Sequence, residues 1–352
     1  MVRPIRPNRG RRSKSRSPWP ADGYYANSGE AKNSAGEPWG AAVRADAAGP
    51  CYSRAVRRSK GKGETPGQRQ KAEDREEAIR RALDAVRARC NINERRAADP
   101  VEFVHRYQAL EDKEIVALIA ASLAFGNVKA LRAKIEEALK RLGPSIALAA
   151  DDPAEVKARL RGWRHRVYRD SDLAGLIIGA RKVQRAHGSL GAALTSELAK
   201  GPDLREALSA WVAMIRREGS LDPGGRGAAH ILADPSKGSA VKRLMLLLRW
   251  MARPADGVDL GLWHVPTDRL LMPVDTHIHK LSRNLGFTDR ADVSWKTAEE
   301  ITAAMRRFDP ADPVKYDFAL CHMGMLQACP SRRDAARCEG CGILAVCRHW
   351  AR

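Results

Sequence analysis

Cys329-Pro-Ser-Arg-Arg-Asp-Ala-Ala-Arg-Cys338-Glu-Gly-Cys341-Gly-Ile-Leu-Ala-Val-Cys347 lies near the carboxyl end of the chain and decides how the rest is read. As spacings it is C-x8-C-x2-C-x5-C, so four of the seven cysteines fall in the last two dozen residues. Four thiols packed that densely, with no secretory signal expected upstream, read as metal ligands rather than disulfide partners. Structural zinc sites usually join two tight pairs, and only Cys338 and Cys341 form one here. Wide, unequal gaps suit the four separated iron corners of a [4Fe–4S] cube. The expected cofactor is therefore a [4Fe–4S] cluster, with zinc as the alternative. Cys51, Cys90 and Cys321 are left over as reduced, unpaired thiols.

Working back from the cysteines, Pro273-Val-Asp275-Thr-His-Ile-His-Lys-Leu-Ser-Arg-Asn-Leu285-Gly286 predicts a helix with Asp275 at its start and Gly286 at its end. His277 and His279 lie two apart, face different ways, and make a poor metal pair. Further upstream, residues 231–250 run from Leu232-Ala-Asp-Pro-Ser-Lys-Gly-Ser-Ala-Val-Lys242 into the apolar stretch Leu244–Trp250. Helix, short Pro/Gly turn and helix is an arrangement whose second helix start can aim backbone N–H groups at a phosphate. Pro235, Lys237, Gly238 and Ser239 are the candidate DNA contacts there.

Together these segments resemble the helix-hairpin-helix DNA glycosylases, endonuclease III and its relatives, which end in C-x6-C-x2-C-x5-C. The last two gaps match and the first is longer by two. Phe318-Ala-Leu-Cys-His-Met-Gly324 is similar to the apolar helix and glycine before that family's first ligand, and Val274-Asp275-Thr276-His277 matches its valine-aspartate-threonine-histidine element. The family's leucine-proline-glycine-hydrophobic-glycine hairpin followed by lysine is not present, and only Pro235 and Gly238 remain as turn formers. In the endonuclease III register the lysine position falls on Ala240. The archaeal 8-oxoguanine DNA glycosylases have a divergent hairpin, and in their register Lys242 fits, one turn into the helix that follows the hairpin, with Lys237 the other candidate nucleophile. The pattern is also similar to an uncharacterised bacterial branch of these iron–sulfur proteins, for which no substrate is implied.

The resemblance spans roughly residues 75–350. It implies an all-α, two-lobed glycosylase-like fold at 73–325 and a cluster loop at 326–352 that packs with the N-terminal helices and is structural. It implies that Asp275 stabilises the oxocarbenium-like sugar as the base leaves and deprotonates a lysine or water. A desolvated lysine would then attack C1′. The function implied is base-excision repair of damaged bases in duplex DNA, with or without an AP-lyase step. The alternative is a non-catalytic DNA-binding iron–sulfur protein on the same scaffold. Arg332, Arg333 and Arg337 sit in the long first gap, where the family's loop is basic and meets phosphates.

Composition agrees with a polyanionic partner. The formal charge is +20 and the pI about 10. Residues 1–72, with 16 basic against 5 acidic side chains, carry +11 of that charge and read as a disordered basic tail. No stretch approaches the ~20 apolar residues of a membrane span, so the protein is expected to be a cytoplasmic, nucleoid-associated monomer. Helices are predicted from Lys71, over Asp112–Phe125 with Gly126-Asn127 as its C-terminal cap, and over 128–142, 153–160, 173–187 and 204–217. Gly162-Trp-Arg-His-Arg-Val-Tyr-Arg169 mixes cations with aromatics, which suits either nucleic-acid contact or core anchors with a basic rim. Asp256–His264 is a loop whose Trp263 reads either as a lid over a base pocket or as a core plug.

Overall fold

The computed structural model describes residues 65–201, 203–221, 224–330 and 333–350. Most of the predicted tail, Cys51 and Arg332 lie outside the described residues. From its amino end the described chain forms α1 (Pro66–Ala88), α2 (Ile92–Ala98), α3 (Glu102–His105), α4 (Leu110–Leu123), α5 (Val128–Leu142), α6 (Ile146–Ala150) and α7 (Pro153–Leu160). A small antiparallel hairpin follows, β1 (Arg164–His165) and β2 (Tyr168–Arg169). Then come α8 (Asp170–His187), α9 (Leu190–Lys200), α10 (Leu204–Glu218), α11 (Arg226–Ile231) and α12 (Lys242–Ala252). The chain closes with α13 (Thr276–Leu285), α14 (Trp295–Arg306), α15 (Asp317–Gln327) and α16 (Ala335–Cys338). The fold class is all-α, the hairpin being the only paired strands among the described residues. No described helix is long and apolar enough to cross a membrane.

Local chemistry sets most boundaries. Helix α1 begins inside the stretch read as tail, because Thr65 and Gln68 form a capping box and Pro66 takes the first helical position. Its Ile79, Leu83 and Val86 are buried at helical spacing. Asn127 caps α5 through the Ala130 amide instead of ending α4, so α4 stops at Leu123 and Gly126 makes the left-handed link. Helix α9, rich in small residues and flanked by glycines, was not foreseen.

Helix α4 runs through the core, and its one buried acid organises the surroundings. Glu114 is fully buried and accepts hydrogen bonds from Leu190 N, Gly191 N, Gln184 Nε2 and Trp263 Nε1, at 2.7–3.0 Å. The carboxylate thus sits on the amino end of α9, where the helix dipole favours negative charge. Trp263 is a core plug held by this acid, not a lid. Trp163 and Tyr168 are buried likewise, as core anchors. Helices α8 and α10 cross where Gly175 and Gly179 meet Gly219, and an added Cβ at Gly179 would run into Ile215 O. Helix α12 packs on α4, α13 on α15, and α1 on α15 and the 3-10 turn Leu344–Val346.

Candidate functional site

Helix α11 ends at Ile231, and a 3-10 turn over Pro235–Lys237 leads to Gly238 with φ +90°. Val241 is left-handed at φ +38°, a conformation that strains a β-branched residue. It turns the chain so that Lys242 is the first residue of α12, one turn earlier than expected. No side chain caps this helix start.

Lys242 Nζ lies 3.3 Å from Asp275 Oδ2. Asp275 is the N-cap of α13, and its Oδ1 accepts from the amides of His277 (2.9 Å) and Ile278 (2.8 Å). One oxygen therefore holds the helix and the other faces the lysine. The side chains are 29% and 17% exposed, so the pair is sheltered but open on one side. Burial pulls the Lys242 pKa down, but the negative charges nearby, Asp275 first and Asp317 after it, outweigh it and the net shift is upward. Burial raises Asp275, and Lys242, the Ile278 amide and His277 more than reverse it, holding the carboxyl below its ordinary range. The free protein thus carries an ammonium–carboxylate pair. Cys321 Sγ, 3.6 Å from Asp275 Oδ2, is pushed well up by burial and then by Asp275, so it stays a thiol.

Beneath this pair lies a buried charge network that sequence reasoning missed. Arg249, seven residues after Lys242 on α12, bonds Asp317 and lies 3.2 Å from Asp259. Arg253 bonds Asp259, Asp256 and Asp312. Burial raises Asp317 to about 6, opposed first by Arg249 and reinforced by Asp275, and its Oδ1 has no hydrogen-bond partner. The only signal was the arginine inside an otherwise apolar Leu-Leu-Leu-Arg-Trp run.

The turn residues divide in role. Lys237 and Ser239 are exposed, and Gly238 is partly exposed. Pro235 is buried, so it shapes the turn and its ring is not presented to a ligand. Arg205 Nε holds Pro235 O at 3.0 Å, and Trp295 N holds Gly238 O at 2.9 Å.

The structure brings Cys329, Cys338, Cys341 and Cys347 together. All four line one hollow, with Asn284, Leu344 and Trp350 among its other walls, and about 340 Å³ of it is empty of protein atoms, part open to solvent. No three His, Cys, Asp or Glu among the described residues converge as ligands of a single metal ion. Asn284 Nδ2 reaches Cys329 Sγ at 3.4 Å and Lys280 Nζ reaches Cys329 O at 2.9 Å, which tie the loop to α13. Arg333 turns back on its own loop, bonding His349 O with its guanidinium 5.4 Å from the Trp350 ring centre. Arg337 is exposed, with Asp334 3.4 Å away.

A protein-family model matches residues 99–326, and the chain belongs to that family, described as a protein of unknown function (DUF2400). The match takes in Lys242 and Asp275 and ends just before Cys329. No curated protein matches the chain, and no solved structure does.

Proposed function

We propose that this protein is a DNA glycosylase of the helix-hairpin-helix type, with two lobes, acting on damaged bases in duplex DNA through Asp275 and Lys242. The observation that carries the reading is the 3.3 Å approach of Lys242 Nζ to Asp275 Oδ2, each delivered by the start of a different helix. Asp275, held ionised, would lie where positive charge develops on C1′ as the C1′–N bond breaks and the electron pair leaves with the base, which takes up a proton. Water, losing a proton to Asp275, completes hydrolysis. In the lyase version Lys242 passes its proton to Asp275 and adds to C1′. Ring opening then yields a protonated imine, and loss of a C2′ proton expels the 3′ phosphate. Lys237 and the uncapped start of α12 are the supporting phosphate contacts.

A [4Fe–4S] cluster on Cys329, Cys338, Cys341 and Cys347 would brace the last loop and supply no step of the base chemistry. The hollow that all four cysteines share, with their wide and unequal spacing in sequence, supports that cofactor.

The upward shift of Lys242 favours a second reading, in which the lysine remains a cation and the protein binds DNA without a covalent step. Purified holoprotein is assayed for base release on a lesion panel and for borohydride trapping on abasic DNA, beside Asp275→Asn and Lys242→Gln. Base release lost in Asp275→Asn supports the glycosylase, and an adduct lost in Lys242→Gln supports the lyase. Salt-dependent duplex binding unchanged by Asp275→Asn, with no base release from any lesion, leaves the non-catalytic reading.

A further inference from the structure

We infer that the β1–β2 hairpin is a second DNA-contacting element, which grips duplex phosphates through Arg164, Arg166 and Arg169 beside the Lys242 end of α12. The inference rests on the DNA reading above but uses none of its catalytic residues.

The hairpin splits cleanly into two faces. His165 and Tyr168 pair with each other and are buried, and the adjoining Trp163 is buried with its Nε1 on Lys134 O. Arg164 pairs directly with Arg169, and both are exposed, as is Arg166 at the turn. Two like charges opposite each other across strands are destabilising, so this face costs stability in the free protein. No carboxylate among the described residues forms an ion pair with any of the three. Asp170, the nearest acid to Arg164 in sequence, gives its oxygens to the amides of Gly162 (2.6 Å) and Ser171 (2.9 Å) and feels Arg164 only through its charge, without an ion-pair contact. The turn also exposes Val167, at 40%, as an apolar tip between cations.

The buried face fixes the hairpin to the candidate site. The Tyr168 hydroxyl bonds Arg243, the residue after Lys242, and also reaches His230 Nδ1 at 2.7 Å. Arg243 reaches Ser122 O at 2.7 Å. Arg166 lies over the Phe125 ring, 5.2 Å from its centre. Three exposed guanidinium groups, none in an ion-pair contact, are therefore held on a packed support next to the start of α12. Arginine suits phosphate contact because its planar donors match the anion's oxygens.

The test uses the full-length holoprotein and a fluorescein-labelled undamaged duplex, titrated by anisotropy between roughly 50 and 200 mM salt. The hairpin variant combines Arg164→Gln, Arg166→Asn and Arg169→Gln, asparagine being chosen because it tolerates the +54° φ at 166. A control removes the same charge from α1 by Arg69→Gln, Arg81→Gln and Arg87→Gln, all exposed. Each phosphate contact contributes about 0.9 to the slope of log K against log salt. The hairpin variant should lower that slope by about 2–3 and weaken binding about 10- to 100-fold at 0.1 M salt. The control should move the slope much less. An unchanged slope in the hairpin variant, or an equal loss in the control, overturns the hairpin's role while leaving the Lys242–Asp275 reading intact. Wild-type protein without salt-dependent duplex binding overturns both. A hairpin effect without base release removes the glycosylase and keeps this surface.

Discussion

Replacing Asp275 with asparagine separates the two tasks of that side chain. Asparagine keeps an oxygen for the His277 and Ile278 amides and is itself a good N-cap, so α13 should hold its start. The charge facing Lys242 is lost. Exposed ion pairs are worth about 0–1 kcal/mol, and breaking fully buried ones costs about 3–5 kcal/mol. With side chains 29% and 17% exposed, this pair falls between, at about 1–2 kcal/mol. For a unit of this size that lowers Tm by about 2–6 °C. Asp275→Ala removes the cap as well and should cost about 1 kcal/mol more. The pH dependence gives the sharper signature. Asp275 titrates below its ordinary 3.8 when folded, so its contribution is present above that value and is lost as pH falls through the folded pKa. Lys242 is shifted above its ordinary 10.5, so its contribution is full below that value and is lost as pH rises through the folded pKa. The stability gap between wild type and Asp275→Asn, followed by thermal melting across pH, should be a plateau that closes at both ends. An equal loss for Asn and Ala, or a gap that ignores pH, would refute the ion pair.

Other consequences are open to direct measurement. Glu114→Ala strips the acceptor from two α9 amides, Gln184 and Trp263 at once. At about 1–3 kcal/mol per orphaned donor it should prevent stable folding, whereas Trp263→Phe should cost only about that amount once plus some packing. The imidazole of His230, depressed to about 4 by desolvation and then by Arg243 and Arg226, should stay neutral through pH 6.5 in an NMR titration assigned with His230→Gln. Anaerobically purified protein should absorb at roughly 400 nm, and Cys338→Ser should remove most of that band; a colourless, zinc-loaded wild type would contradict the cluster.

Where a boundary depends on neighbours in sequence, it could be read in advance. Helices α5 and α7 run over the predicted 128–142 and 153–160, although Asn127 caps the start of α5 and not the end of α4, and Asp275 caps α13 up to Gly286. Features set by distant parts of the chain were hidden. Nothing local marks Glu114 as the acceptor for a helix start 76 residues on. Arg249 sits in an apolar run, and its need for Asp259 and Asp317 emerges only when α12, the 253–263 loop and α15 are packed together. Lys242 opens α12 and does not lie a turn inside it, because Val241, a residue that normally avoids positive φ, makes the turn. Gly162–Arg169 could be read either as core or as rim, and the hairpin makes it both by alternating its faces.

The candidate acid and the cysteine loop share one helix, which makes them mechanically dependent. Asp275 caps α13, while Lys280 and Asn284, four apart and so on one face, hold Cys329. Ile278, Leu281 and Leu285 bury the other face. Apolar packing leaves a helix some freedom to slide along its axis, whereas the two polar ties to Cys329 resist it. A shift of about 1 Å directly away from Lys242 would stretch the 3.3 Å approach of Asp275 Oδ2 beyond ion-pair reach. Lys280→Met with Asn284→Ala should therefore weaken a pair that neither residue touches. In a double-mutant cycle with Asp275→Asn, a coupling of about 0.5 kcal/mol or more is expected, since sites without shared structure add to within about 0.3–0.5 kcal/mol. Strict additivity would mean that the core packing alone sets the position of α13, and that the loop does not govern the acid.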